Sequence, residues 1–302
     1  MEEKIVVILG PTATHKSDIA LELVKDFPLE IVSADSMQFY KGMDIGTAKV
    51  SKEIREKIPH HFIDIIDVSQ NYSVGQYKRE FLKLVQEIYK NKKIPLIVGG
   101  SGLYIRAITE NFPVEESPSP DIDLRRELEG KSLDEIKKLA ESIDFDAASR
   151  VFDKKRLIRI IEYYKKTGKK ISEVKNPSVK FRFLKIGLIK PREILYRDIE
   201  KRVDKMIELG FVEEVKSLKE KYAQWSKTAR QAIGYKEILD YLEGQITFDE
   251  AIELIKKNTR HLAKRQITWF KKEKDVLWFD STDIQLIINE IKRLVGDFVN
   301  DD

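Results

Sequence analysis

Residues 6–18 read VVILGPTATHKSD: an apolar run, a glycine, five residues of loop chemistry, and then Lys16 and Ser17. A phosphate-binding loop has the pattern G-x-x-x-x-G-K-[S/T] between a buried strand and a helix. Gly10, Lys16 and Ser17 keep that frame, whereas His15 stands where the second glycine belongs. The reduced pattern is common by chance, so its placement carries the weight. The apolar run Ile5–Leu9 predicts a strand ending at Gly10. KSDIALELVKDF, residues 16–27, puts Ile19, Leu21, Leu23, Val24 and Phe27 at helical spacing, so a helix begins near Lys16. Backbone N–H groups of such a loop point at an anion, Lys16 adds a charge, and the Ser17 hydroxyl suits a magnesium ion. If position 15 requires a positive φ, histidine is among the side chains that tolerate it best. Gly10, Pro11, Thr12, Ala13, Thr14, His15, Lys16 and Ser17 are therefore read as a working phosphate site.

Outward from the loop, strands and helices alternate. LEIVSAD (29–35), HFIDIID (61–67) and IPLIVGG (94–100) read as further strands, with a long helix over 73–93. NFPVEESPSPD (111–121) carries three prolines and reads as an exit from the core; helices dominate from about Asp121 to Lys175. FRFLKIGLIK (181–190) returns as a strand, and VLWFD (276–280) reads as an edge strand. The expectation is an α/β fold: a P-loop NTPase-like parallel sheet flanked by helices, with ligands at the strand C-termini. Residues 1–112 and 181–302 form its core and C-terminal helices, and residues 113–180 an inserted all-helical domain.

Composition narrows the function. The chain has 302 residues, 42% hydrophobic and 35% charged, with no cysteine and four histidines. Disulfides and thiolate metal sites are excluded, and the charge content is of the kind associated with heat-adapted proteins. The short apolar run near the start is neither a signal peptide nor a membrane span, which leads to the expectation of a cytoplasmic protein. Between Arg150 and Lys205 nineteen Lys and Arg face seven Asp and Glu, a local +12 in a chain of net +4, leaving about −8 elsewhere. That asymmetry suits a polyanionic partner, although solvated helix faces give the same pattern.

A phosphate-loop kinase needs an aspartate at a strand end to hold magnesium and a base for the acceptor. IVSADSMQFY does end a strand with Asp35, but Ser36 and Gln38 follow at once. Such residues suit a nucleobase edge, and Asp35 could take a proton from an exocyclic amine. The plainer alternative is an aspartate that caps the next element.

GPTATHKSD, SADSMQFYKGMDIGTAK, PHHFIDIID, VGGSGLY, AIGYKE and TRHLAKRQITWF together resemble the tRNA dimethylallyltransferases, in order and spacing, over Lys4 to Trp278. The resemblance implies prenyl transfer from dimethylallyl diphosphate to N6 of adenosine 37 beside the anticodon, by a monomer using Mg²⁺. The loop would then hold a leaving group, gathered by the N–H groups of residues 12–17, Lys16 and an arginine. Arg197 and Arg202 are the candidates for that arginine, and Arg202 is preferred. Asp35 would accept the N6 proton with Thr12 and Ser101 close by; Ser101 stands where the family usually has threonine.

For tRNA, the resemblance implies a flipped base met by Asp35, Ser36, Met37, Gln38 and Ser101, with Thr47, Ala48 and Lys49 at the entrance. It places Arg125, Lys155, Arg156 and Arg159 against the anticodon stem-loop. Arg260, Lys264, Arg265 and Lys271 would meet phosphates. Trp269 and Phe270 read as core, and His60–His61 as structural. Two other activities fit parts of the sequence: a nucleotide kinase, suggested by the loop alone, and prenyl transfer to free AMP or ADP. The basic segments speak against the latter, since a mononucleotide needs neither.

Overall fold

The structure, a computed structural model, describes residues 3–110, 121–174 and 181–301. The proline-rich stretch at 111–120 and the expected domain boundaries near 112 and 180 lie outside the described residues.

The sheet is organised around β1 (Glu3–Leu9), whose residues Ile5 to Leu9 are all fully buried. Successive side chains of a strand point to opposite faces. Ile5, Val7 and Leu9 therefore join one core, and Val6 and Ile8 the other. A strand covered on both faces must be apolar throughout, which is why this stretch lacks alternation.

Next come α1 (Lys16–Asp26), β2 (Leu29–Ser33), α2 (Lys52–Lys57), β3 (His60–His61), α3 (Val74–Lys90), β4 (Ile94–Gly99) and α4 (Gly102–Thr109). Four helices follow: α5 (Ile122–Glu129), α6 (Leu133–Ile143), α7 (Phe145–Ala148) and α8 (Lys154–Thr167). The chain re-enters the sheet as β5 (Phe181–Ile189) and continues through α9 (Arg192–Glu208), α10 (Phe211–Lys221), α11 (Lys227–Arg230), α12 (Tyr235–Leu242) and α13 (Phe248–Phe270). It closes with β6 (Val276–Asp280) and α14 (Ile284–Asn300).

The strand order is β3-β2-β4-β1-β5-β6, and every pairing is parallel. The chain leaves β1 first toward β2 and later crosses to β5 on its other side, so a crevice opens at the strand C-termini there. Tyr77, Phe81, Val85 and Ile88 of α3 cover one face. Ile19 and Leu23 of α1, with Ile288, Ile291 and Val295 of α14, cover the other.

The expected third strand at 61–67 is a correction. Only His60–His61 pair with β2, plus one bridge between Tyr40 and Ile66. Phe62 and Asp64 take left-handed φ values of 59° and 57°. Phe62 turns into an aromatic cluster with Phe39 and Tyr77, while Asp64 turns to the cations of Lys49 and Arg55. The histidines serve structure, as expected: His61 Nε2 meets Glu30 at 2.8 Å, and His60 Nδ1 meets the Ile58 carbonyl at 2.6 Å.

The helices after α4 bury a core of their own, with Leu157, Ile158, Ile160 and Ile161 of α8 packed among Leu124, Leu128, Ile136, Ala140 and Ala148. α8 starts where Asp153 caps the Arg156 N–H at 2.9 Å and stops at Gly168 with φ 70°. Among the described residues no helix is long and apolar enough to cross a membrane.

Candidate active site

A cavity of about 1160 Å³ opens over the C-terminal ends of β1, β2 and β4. Residues 12–17 form one wall. Gly10 has φ 153°, and a Cβ there would lie 2.4 Å from the Leu188 carbonyl oxygen, so the close approach to β5 requires glycine. His15 does occupy a left-handed conformation, φ 60°, and Ala13 is a second such residue at φ 63°. The His15 ring, 42% exposed, is taken by Asp18, Nδ1 to Oδ2 at 2.8 Å. The Thr14 hydroxyl donates to the Pro11 carbonyl at 2.8 Å and the Lys16 ammonium donates to the same oxygen at 2.6 Å, which draws the lysine back over its loop. Burial and the nearby Arg202 guanidinium lower the Lys16 pKa to about 7, against the opposing pull of Asp35.

Asp35 follows β2, where the Ala34 N–H reaches Val98 and the Ser101 N–H reaches Ala34, at 2.8 and 3.1 Å. Its Oδ1 accepts from the Met37 N–H at 3.0 Å, so the carboxylate does cap its own turn. One oxygen suffices for that, and Asp35 also lines the cavity with Thr12, Lys16, Ser101 and Arg202. The Ser101 hydroxyl accepts from the Ser36 N–H at 3.2 Å. Burial lowers the Arg202 pKa, partly countered by Asp35 and Asp18. Arg197 lines the same cavity but is exposed, and it is Arg202 whose field reaches both Lys16 and Asp35.

The entrance loop is held from inside. Glu214 of α10 accepts from the backbone N–H groups of Asp44 (3.0 Å), Ile45 (2.7 Å) and Gly46 (3.3 Å), and from the Tyr235 hydroxyl (2.6 Å). Lys49 corrects the sequence expectation. Its side chain is only 1% exposed, with the ammonium 2.9 Å from Asp44, 2.5 Å from Asp64 and 2.6 Å from the Tyr40 carbonyl. It braces the loop, its charge engaged by Asp44 and Asp64. Thr47 is buried, its hydroxyl on the Met43 carbonyl at 2.6 Å, while Ala48 is exposed in the left-handed region at φ 47°. The Gln38 side chain spans Ser33 and the Thr47 carbonyl at 3.0 and 3.4 Å.

The remaining basic residues divide. Lys155 and Arg156 project from α8 into solvent. Arg125 and Arg159 converge on Glu162, which is fully buried in α8, so their charges are already engaged. Burial raises the Glu162 pKa, but Arg125, the Asp121 N–H and Arg159 outweigh it and the net shift is downward. Arg260 pairs with Glu200 at 2.5 Å. Lys264, Arg265 and Lys271 are exposed, and Arg265 reaches the cavity rim. Phe270 is core, and Trp269 packs half-buried against it.

Two contributors were not singled out in the sequence: Glu214, which carries no signal there, and Gln266, which lies inside the TRHLAKRQITWF block without a role of its own. Gln266 accepts from the Thr12 N–H at 3.0 Å and donates to the Gly100 carbonyl at 2.9 Å. For a metal, Ser17 and Asp35 put a hydroxyl and a carboxylate on the same cavity, and no cluster of three His, Asp or Glu exists among the described residues. That donor set fits magnesium, which binds through one or two protein oxygens, phosphates and water.

The family profile described as IPP transferase matches residues 38–273. A tRNA dimethylallyltransferase of Dictyoglomus turgidum is 46% identical over 100% of this chain and 94% of its own length. One from Thermotoga maritima is 42% identical over 97% and 98%. Among solved structures, the tRNA isopentenylpyrophosphate transferase of Bacillus halodurans superposes with a TM-score of 0.75 at 38% identity, covering 99% of this chain and 97% of that one. A eukaryotic dimethylallyltransferase acting on tRNA gives 0.85 at 32% identity, covering 98% and 79%. With a phosphate loop, a strand-end carboxylate and a half-buried arginine converging on one cavity, and with relatives of this similarity along its length, the chain belongs to the IPP transferase family.

Proposed function

We propose that the protein transfers the dimethylallyl group of dimethylallyl diphosphate to N6 of adenosine 37 in the tRNA anticodon loop, releasing pyrophosphate. The observation that carries the reading is the grouping of Lys16, Arg202 and Asp35 in one cavity: two cations beside a carboxylate. N6 attacks the allylic C1, the C1–O bond breaks, and its electron pair leaves with the diphosphate. The N–H groups of residues 13–17, Lys16 and Arg202 meet the charge that develops there, while the Thr12 N–H, expected among them, is held by Gln266. Asp35 takes the N6 proton, and the hydroxyls of Thr12 and Ser101 lie in the same cavity to orient the reacting atoms. Magnesium bound through Ser17 and the diphosphate would add further positive charge at the leaving group.

A base buried in a stacked loop must be flipped out to reach this depth. Asp35, Ser36, Met37 and Gln38 line its path, with Thr47 and Ala48 at the rim. Lys155 and Arg156 on α8, and Lys264, Arg265 and Lys271 near the end of α13, supply exposed cations for the RNA backbone. Free AMP or ADP would leave those cations without a role. The protein acts as a monomer, in the cytoplasm where tRNA is found. The test is incubation with unmodified tRNA and dimethylallyl diphosphate, then nucleoside digestion and mass analysis. Absence of prenylated adenosine, or its formation on AMP but not tRNA, overturns the reading.

A further inference from the structure

α13 crosses above two turns that lie far apart in the chain. At Gln266 the side-chain oxygen accepts from the Thr12 N–H and the side-chain nitrogen donates to the Gly100 carbonyl, at 3.0 and 2.9 Å. These partners fix the amide orientation, because the flipped amide would set donor against donor and acceptor against acceptor. Gly100 is required by this contact: a Cβ there would lie 2.4 Å from Gln266 Nε2. Trp269, on the same helix, lies over Gly102, where a Cβ would come within 2.3 Å of the indole. The helix thus rests on the β4–α4 turn at both glycines.

One side chain therefore joins the residue bearing one site hydroxyl, Thr12, to the neighbour of the residue bearing the other, Ser101. Ser101 in turn receives the Ser36 N–H, next to Asp35. We infer that Gln266 is a positioning residue for prenyl transfer. It sets the spacing of the Thr12 and Ser101 turns beside Asp35, and it anchors the diphosphate loop to the helix that carries Lys264 and Arg265. The inference rests on the proposed function, whose reaction needs those turns in register.

Three variants test it: Gln266→Ala, Gly100→Ala and the double substitution. A looser site misplaces reacting atoms, so Gln266→Ala should lower kcat by roughly 10- to 100-fold. KM for tRNA should stay within about threefold, since no RNA contact is removed. Gly100→Ala displaces the amide and should give a similar loss. The double variant should lose no more than the worse single one, because both changes break the same clamp. Affinity for inorganic pyrophosphate, measured by calorimetry, should follow the same non-additive pattern without needing tRNA or a prenyl donor. If Gln266→Ala keeps kcat within about twofold while its thermal midpoint falls, the side chain serves stability alone and the inference is overturned. Multiplying defects in the double variant would overturn it too. A wild-type protein that leaves tRNA unmodified sinks the functional reading, and the pyrophosphate cycle still decides the clamp.

Discussion

Lys16 and Arg202 share one cavity so closely that, after burial itself, the guanidinium is the main reason the lysine's pKa falls to about 7. In the ligand-free protein Lys16 is thus poised near half-protonation at neutral pH. A diphosphate beside it favours the charged form and raises its pKa, so binding takes up a proton. The affinity Lys16 contributes is fully present below pH 7 and declines as pH rises from there toward the bound-state pKa. The decline approaches about tenfold per unit. Lys16→Arg holds its charge and should flatten this dependence. Calorimetry of dimethylallyl diphosphate at about pH 6 and about pH 8, on both proteins, removes the ligand's own titration from the comparison. Parallel profiles would show that Lys16 does not titrate on binding.

Asp35 has one oxygen on the Met37 N–H, and its carboxylate faces the cavity. Asp35→Ala should lower turnover by roughly two to four decades, the range for loss of a general base. Binding of tRNA and of dimethylallyl diphosphate should change far less. Single-turnover kinetics with separate binding titrations give the answer, and near-normal turnover would remove Asp35 from the mechanism.

The His15 ring is engaged by Asp18, while its backbone holds φ 60°. His15→Gly relieves a left-handed non-glycine residue, worth on the order of 1 kcal/mol. Diphosphate affinity should therefore hold or improve, and the thermal midpoint should not drop. A loss of affinity that is greater at about pH 6 than at about pH 8 would mean that the protonated ring binds phosphate after all.

Arg156 and Arg159 lie one helical turn apart, yet the structure gives them different work. Arg156→Ala should weaken tRNA binding and reduce the salt slope by about one counterion, with stability unchanged. Arg159→Ala leaves buried Glu162 short of a donor and should destabilise the helices around it by about 1–3 kcal/mol. Salt-dependent binding and urea unfolding separate the two, and equal effects on both readouts would refute the division.

The β1–loop–α1 unit was legible because its signals are local: an apolar run, a glycine and a helical period all fall within residues 5–27. Asp35 was legible as a strand-end residue, to which the resemblance added its chemistry, whereas Ser101 came from the resemblance alone. Lys49 was not legible, since a lysine in a polar loop reads as solvated until Asp44 and Asp64 are seen around it. Glu214 and Gln266 act on backbone groups more than 160 residues away; nothing around Glu214 announces such partners, and the TRHLAKRQITWF block around Gln266 carries the resemblance without pointing to them. The third strand failed for a related reason: the apolar pairs Phe62–Ile63 and Ile65–Ile66 looked like a buried strand, but Asp64 between them is drawn out of line by cations that only the tertiary fold supplies.

The placement of β1 between β4 and β5 also governs the order in which the molecule assembles. Its β4 partners are residues 96–99, but its β5 partners are residues 181–187, on the far side of the helical segment. During synthesis the first strand made is among the last to be completed, because its second edge waits for residues that emerge much later. The intervening helices, with their separate core, can settle in the meantime. Distant parallel pairing is slow, and an unpaired apolar strand is the kind of edge that recruits other chains. The period of greatest exposure to aggregation therefore falls midway through translation, before β5 arrives, and it closes once the sheet does.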